Sequence, residues 1–284
     1  MFYYLPVLGA VALAGGTILE KIVLIKRKIN IKLYQTSAFL AIVISMLPLI
    51  YFFWKINAAA WQLQNIVIFL LVILFSMIAN LLFFYSLKWE KIGNIEPARV
   101  LEPLFIILLA VVFSFFAEGL YERNARIVIP ALIAGSVLVF SHIEKHHLKF
   151  NKYFIATILG SFFFALELVI SRLILDFYSP VTFYFLRSSS IFLLSLIIFK
   201  PKFGKLSTKV RWTILATGAI WMAYRVILYY GYLNVGVVST TLLLMLGPIF
   251  IYIFAFFFLK EKIRWKNFAA AIVIVGAIIY AITG

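Results

Sequence analysis

Long apolar stretches alternate with short polar links along the whole of this chain, and residues 26–32 form the first of those links. A helix rises about 1.5 Å per residue, so about twenty apolar residues span a hydrocarbon core of about 30 Å. No soluble fold needs so many such stretches in 284 residues. The pattern therefore predicts an all-α membrane protein that crosses the bilayer many times.

The composition is typical of a membrane protein and disfavours nucleic-acid, thiolate and metal sites. Hydrophobic residues make up 65% of the chain and charged residues 13%, where a soluble protein has about a quarter charged. The net charge of +16 resides mostly in the links, where Lys and Arg contact an anionic membrane surface, so no nucleic-acid binding is expected. Cysteine is absent, which excludes thiolate chemistry. The histidines share one link, which predicts an interfacial turn: His142, His146 and His147. We therefore expect no metal and no cofactor.

Ten stretches are long and apolar enough to be membrane spans. Because backbone groups in lipid must be hydrogen-bonded within their own segment, each span is expected to be a helix. The predicted spans are 3–25, 33–54, 65–88, 94–117, 126–142, 153–175, 181–200, 210–232, 236–259 and 264–282.

The charge of the links predicts the orientation of the spans. Links after odd-numbered spans carry clusters of Lys and Arg, such as those within 26–32 and 200–211, whereas links after even-numbered spans carry few. Basic links remain in the cytoplasm. We therefore predict a multi-pass protein of the plasma (inner) membrane with both termini outside.

The two halves of the chain resemble each other in sequence. Residues 9–21 align with residues 160–172 at a constant offset. Further along the chain, a second alignment with its own constant offset places Pro103 over Pro248. An odd number of spans per copy inverts the second copy in the membrane, and the charges of the links reverse as inversion requires. The sequence predicts two inverted five-helix repeats, residues 1–142 and 153–284.

Several charged side chains lie deep inside the spans, where a charge costs at least about 2.5–3.5 kcal/mol unless it faces a cavity or a partner. Glu167, Arg187 and Arg225 have no neutralising neighbour within a helical turn. Either they line a translocation cavity, or Glu167 forms a structural ion pair, such as one with Arg187. Glu96 and Arg99 are three residues apart and could simply neutralise each other. The remaining deep charges are Glu20 and Glu102.

An aromatic and basic stripe on span eight predicts a binding surface. Trp221, Arg225 and Tyr229 share one broad face of that helix. Such a stripe offers a cation, hydroxyl groups and aromatic surface, which are the groups that small-molecule sites use. The predicted substrate-binding residues are Asn80, Tyr184, Arg187, Trp221, Arg225, Tyr229 and Tyr230.

Proline interrupts matching positions in the two halves, at Pro103 and Pro248. Each proline removes a backbone hydrogen bond inside a span and favours a kink. Paired interruptions mark the helices that bend around the central site of a transporter, so we predict both prolines as hinges. A kink that neighbouring helices merely tolerate is the alternative.

A short pattern occurs once in each half: a Pro in the fourth span, a Glu after it and a Gly in the fifth. The segments are 98–105, 115–118 and Gly135 in the first copy, and 243–250, 258–261 and Gly276 in the second. In the first copy Glu122 competes with Glu118 for the place of the acid. In this pattern the chain resembles the EamA-type, ten-helix form of the drug/metabolite transporter superfamily. The resemblance implies a central cavity formed by the first four helices of each repeat, peripheral fifth helices, and the movement of small metabolites, often outward.

Our first hypothesis is therefore a gradient-driven secondary transporter of a small polar or amphipathic metabolite such as an amino acid. The resemblance implies that it is an exporter. The two arginines would attract an anionic group, since Arg stays charged and offers forked donors. Glu167, Glu102 or Glu96 would be the coupling group if a proton is exchanged. No ATP-binding P-loop motif occurs in the sequence, so a gradient is expected to supply the energy.

Two other classes of function compete with transport of a metabolite. The same arginines and aromatic side chains would serve a protein that moves an anionic lipid head group between leaflets. A membrane enzyme is disfavoured, because it would need a catalytic constellation and the only histidines lie in one link. The expected partners are a small-molecule substrate and membrane lipids; a homodimer stays open, because two internal repeats neither require nor exclude it.

Overall fold

The computed structural model describes residues 3–26, 29–90, 92–142, 151–203, 206–250, 253 and 265–283. Over these residues the chain is almost wholly helical, and the β-type pairing found there is an isolated bridge between Ile56 and Tyr178. Seven of the described helices are long and apolar enough to cross a membrane. The prediction of an all-α, multi-pass membrane protein is confirmed. Shorter apolar helices cover Ala125–Ser141, Val237–Phe250 and Phe268–Thr283.

The helices follow the predicted spans closely. In chain order they are α1 (Tyr4–Lys21), α2 (Ile31–Phe53), α3 (Leu63–Trp89), α4 (Ile92–Arg99), α5 (Leu101–Ser114), α6 (Ala125–His142), α7 (Lys152–Leu175), α8 (Pro180–Phe199), α9 (Thr208–Asn234), α10 (Val237–Leu244) and α11 (Trp265–Thr283). A π-helical turn (Ile22–Lys26) continues α1, and a 3-10 turn (Ala58–Trp61) precedes α3. Predicted span nine was expected to reach residue 259; beyond residue 250 all of it except residue 253 lies outside the described residues.

Short polar side chains begin three of the long helices. Asn30 Oδ1 accepts a hydrogen bond from the backbone of Lys32 at the start of α2, and Asn151 Oδ1 accepts two at the start of α7. Ser179 Oγ accepts from the Thr182 backbone at the start of α8, where a proline occupies the first helical position. These side chains satisfy N–H groups that have no partner inside the helix.

A break interrupts predicted span four, which is two helices rather than one. Val100 separates α4 from α5, and Met245 separates α10 from a helix at 246–250 in the same way. In both cases a proline follows three residues later, at Pro103 and Pro248. A proline ring clashes with the carbonyl group four residues earlier, which here belongs to the last residue of the preceding helix. The proline thus falls in the first turn of the new helix, where its missing N–H is tolerated.

The helices of the two halves pack against one another. The pair α3 and α7 and the pair α1 and α9 lie side by side, α2 contacts α8 and α9, and α6 packs against α11. Gly218 on α9 permits a close approach to α2, because a Cβ there would lie 2.7 Å from the Cβ of Ala41. Small residues of this kind allow helix backbones to approach in membranes.

Hydrogen bonds between loops join the two halves at one end of the bundle. The loop after α2 pairs with the loop after α7, where Asn57 N donates to Phe177 O at 2.8 Å and Ser179 N donates to Lys55 O at 3.1 Å. We call this end, formed by the loops after α2, α5, α7 and α9 (residues 54–62, 115–124, 176–179 and 235–236), the tied end.

The carboxylate of Glu122 makes a second connection at the tied end. Its Oε2 accepts a hydrogen bond from Val238 N at 3.1 Å, and its Oε1 accepts one from Ser239 N at 3.0 Å. These are unpaired donors in the first turn of α10, where a negative charge is favoured. Gly236 precedes that turn with φ 102°, and a side chain there would collide with the carboxylate of Glu122. Glu122, not Glu118, therefore binds the other half of the chain.

Candidate functional site

Three of the deep charges meet in one buried cluster. Glu167 Oε1 lies 3.0 Å from Arg187 Nε, and Glu167 Oε2 lies 3.4 Å from Arg225 Nη1. Tyr229 donates its hydroxyl to Oε1 at 3.0 Å. The residues come from α7, α8 and α9, and the exposed fractions are 0% for Glu167, 1% for Arg187 and 6% for Arg225. One carboxylate therefore orients two guanidinium groups.

Both arginines make further contacts that fix their position. Arg187 Nη2 donates to the hydroxyl of Ser76 on α3, which links the cluster to the first half of the chain. The guanidinium of Arg187 lies 5.4 Å from the ring centroid of Tyr184, and that of Arg225 lies 5.6 Å from the ring of Phe164. Aromatic faces at this distance attract a cation and add to its stabilisation.

A cavity lies beside this cluster, between the two halves. The volume in which the centre of a water molecule fits is about 70 Å³, and the whole space between protein atoms, open mouth included, is about 720 Å³. In this arrangement of the helices the cavity therefore has room for a few water molecules. Both halves contribute to its walls. The polar and aromatic lining residues are Glu20, Asn80, Arg99, Glu102, Ser161, Tyr184, Arg187, Trp221, Tyr224 and Arg225.

Opposite charges balance across this region. The described residues there include three arginines and three carboxylates, so their formal charges cancel: Arg99, Arg187, Arg225, Glu20, Glu102 and Glu167. Glu20 accepts a hydrogen bond from the Tyr34 hydroxyl at 3.2 Å. Arg99 donates to the Thr17 hydroxyl at 3.0 Å and lies 4.7 Å from the ring of Phe83. Arg99 is therefore held by contacts with α1 and α3.

A second cavity adjoins the first. Leu13, Arg99, Glu102 and Tyr224 line both, so these side chains stand at the boundary between them. The walls of the second cavity include both helix breaks, through Val100, Pro103, Leu244 and Pro248.

Most of the predicted site residues meet at these two cavities. Asn80, Glu102, Tyr184, Arg187, Trp221 and Arg225 line the first, and Pro103 and Pro248 line the second. Glu167 and Tyr229 do not line either cavity, since they bind each other behind the arginines. Tyr230 lies away from both. The side chain of Glu96, and the link with His146 and His147, lie outside the described residues.

Five side chains at the cavity and its support received no predicted role. Glu20 and Arg99 were recognised as deep charges, but the contacts that hold them come from other helices: Thr17 and Tyr34. Tyr224 flanks Arg225 in the sequence and was not among the predicted binding residues, although it lines both cavities. Its position beside an arginine inside a span was the available signal.

A polytopic helical membrane protein is the class that this fold defines. Residues 151–283 match the model of the EamA-like transporter family. The resemblance to the drug/metabolite transporter superfamily is thereby confirmed.

The comparisons with whole proteins add information on the fold. One solved crystal structure is similar over 99% of this chain and 95% of its own, with a TM-score of 0.68 and 16% sequence identity. At this identity the likeness concerns the fold alone. The comparison with curated proteins found no match.

Proposed function

We propose that the protein is a gradient-driven secondary transporter that exports a small polar or amphipathic metabolite, such as an amino acid, by alternating access. The observation that carries the proposal is the cavity between the two halves, into which Arg187 and Arg225 are directed by one buried carboxylate. A fixed pair of guanidinium groups binds carboxylate or phosphate oxygens with paired hydrogen bonds. Asn80, Tyr184 and Trp221 offer amide, hydroxyl and aromatic surface around the rest of the substrate.

The proposed transporter has ten spans in two inverted repeats, residues 1–142 and 153–284. Its additional spans are the three shorter apolar helices. Two features support the repeat. In the proposed repeat α1 corresponds to α7 and α3 corresponds to α9, so the packed pair α3–α7 is equivalent to the packed pair α1–α9. Each half also has a helix break three residues before a matching proline. Transporters of this kind place their substrate at the interface of the repeats.

Orientation follows from the links, and we propose both termini outside the plasma (inner) membrane. The lining of the cavity includes Glu20 near the end of α1 and Phe84 near the end of α3. Both helices are followed by basic links. Those links would lie in the cytoplasm. The tied end would lie outside, so this arrangement of the helices would be the one that loads substrate from the cytoplasm. Release outside requires the bonds of the tied end to open.

For the coupling group we propose Glu102 over Glu167. Both oxygens of Glu167 are already engaged by the arginines and by Tyr229, so protonation would release the pair. Glu102 lines both cavities and makes no ion pair within 4 Å among the described residues. A carboxyl group at a shared wall can exchange a proton as the cavity changes its access.

Transport by the purified protein in liposomes tests this proposal. We expect Arg187→Lys and Arg225→Lys each to reduce uptake of an identified substrate at least tenfold, because lysine keeps the charge and loses the forked donors. Arg211→Gln is the matched control, since Arg211 is exposed at the start of α9. Normal uptake by the double Lys variant would refute the assignment of the site.

A further inference from the structure

We infer that the substrate is an amphipathic anion whose head is bound at Arg187 and Arg225 and whose apolar tail occupies the second cavity. This inference rests on the proposed transport function and names its substrate class. The first support is adjacency, because four side chains line both cavities, so a molecule that extends past them from the first cavity would enter the second.

The lining of the second cavity is the second support. Apart from Arg99 and Glu102 at the shared wall, its described lining consists of apolar side chains, two prolines and the hydroxyl residues Tyr224, Tyr232 and Thr241. Ile106, Leu138 and Leu228 form much of the apolar surface, which favours a hydrocarbon or aromatic group over a charged one.

A pair of hydroxyl groups lies at the second cavity. Tyr232 is 1% exposed, and the hydroxyl of Thr241 beside it donates to Val237 O at 2.7 Å. A tyrosine hydroxyl can both donate and accept a hydrogen bond, so this pair suits a ligand with a weakly polar group near the end of its tail.

The two helix breaks lie at the wall of the second cavity, so a tail bound there would lie between them. Val100, Pro103 and Pro248 line the second cavity, so a tail lies between the two places where the helices can bend. A ligand that reaches this cavity contacts both halves beyond the arginine pair. Tail length should therefore affect transport as well as binding.

A series of straight-chain carboxylates, from acetate to octanoate, tests the inference on the full-length protein in nanodiscs. Each methylene group that enters an apolar cavity should tighten binding about fourfold, until the second cavity is full. We expect affinity to rise over several carbons and then level off. Binding is measured by calorimetry, with empty nanodiscs subtracted to remove partition into lipid.

Ile106→Phe fills the second cavity, because Ile106 is buried and lines it. We expect this variant to lower the ratio of hexanoate to acetate affinity at least tenfold. Leu108→Phe on the same helix is the matched control, since Leu108 is 46% exposed and faces outward. Leu228→Ala enlarges the cavity instead, and should move the best chain length upward by one or more carbons.

The possible results separate the inference from the function on which it rests. Equal binding of acetate and hexanoate by the unaltered protein, or an unchanged ratio in Ile106→Phe, overturns the tail site and leaves transport standing. Binding of no carboxylate at all overturns the arginine site as well. A phospholipid that is retained through purification and displaced by octanoate supports the inference and identifies a lipid as the source of head and tail.

Discussion

Replacing Glu167 with Gln tests how the arginine pair is held. The change keeps the shape of the side chain and removes the negative charge between Arg187 and Arg225, whose nitrogen atoms lie 3.0 and 3.4 Å from its oxygens. All three side chains are buried, so two cations would be left without their partner. Removing one member of a buried ion pair costs about 3–5 kcal/mol.

A cost of this size should be visible in thermal unfolding. At about 2 °C per kcal/mol for a chain of this length, we expect the unfolding midpoint of Glu167→Gln in detergent to fall by about 6–10 °C. Glu118→Gln is the control, because Glu118 is 85% exposed and lies 3.8 Å from Arg123 at the surface. Its midpoint should change by less than about 2 °C. Equal midpoints for Glu167→Gln and the unaltered protein would show that the carboxylate does not hold the arginines.

Three further predictions concern packing, the tied end and topology. Gly218→Ala should destabilise the protein by about 1–3 kcal/mol, because its new Cβ would collide with Ala41. Gly276→Ala is the control, since a Cβ there meets nothing within 4 Å, and denaturant titration compares the two variants. Glu122→Gln and Gly236→Ala should each speed amide hydrogen exchange at 237–244, whereas unchanged exchange would contradict a tie at this end. A tag added after residue 284 should react with impermeant reagents from outside intact cells; reaction only after permeabilisation would reverse the topology.

Hydropathy and the cost of buried charge located the site region from sequence alone. They identified Glu167, Arg187 and Arg225 as deep charges, because no neighbour within a turn neutralises them. They could not show that Glu167 faces the arginines and turns away from the cavity. Rotation of a helix about its axis is set by packing with other helices, and an apolar span leaves little amphipathic pattern from which to read it.

The helix breaks and the tied end show the same limit. The matching prolines predicted interruptions in both halves, but the one-residue gap at Val100 and at Met245 depends on the backbone around them. Spacing could not decide between Glu118 and Glu122, since the path of the loop determines which acid reaches α10. Gly236 was the missed signal, because a glycine has no Cβ to collide with the carboxylate and tolerates the positive φ found there.

Accessibility of a single cysteine tests the central claim, a water-filled cavity between the two halves, most directly. The chain has no cysteine, so one introduced at Asn80 is the single reactive thiol. Asn80 lines the cavity beside the arginine pair, and Leu108→Cys is the outward-facing control. We expect a membrane-impermeant thiol reagent to label Asn80→Cys in intact membranes, and to label Leu108→Cys only after denaturation. If Asn80→Cys is as unreactive as the control until the protein is unfolded, the cavity is not open to water and the account is wrong.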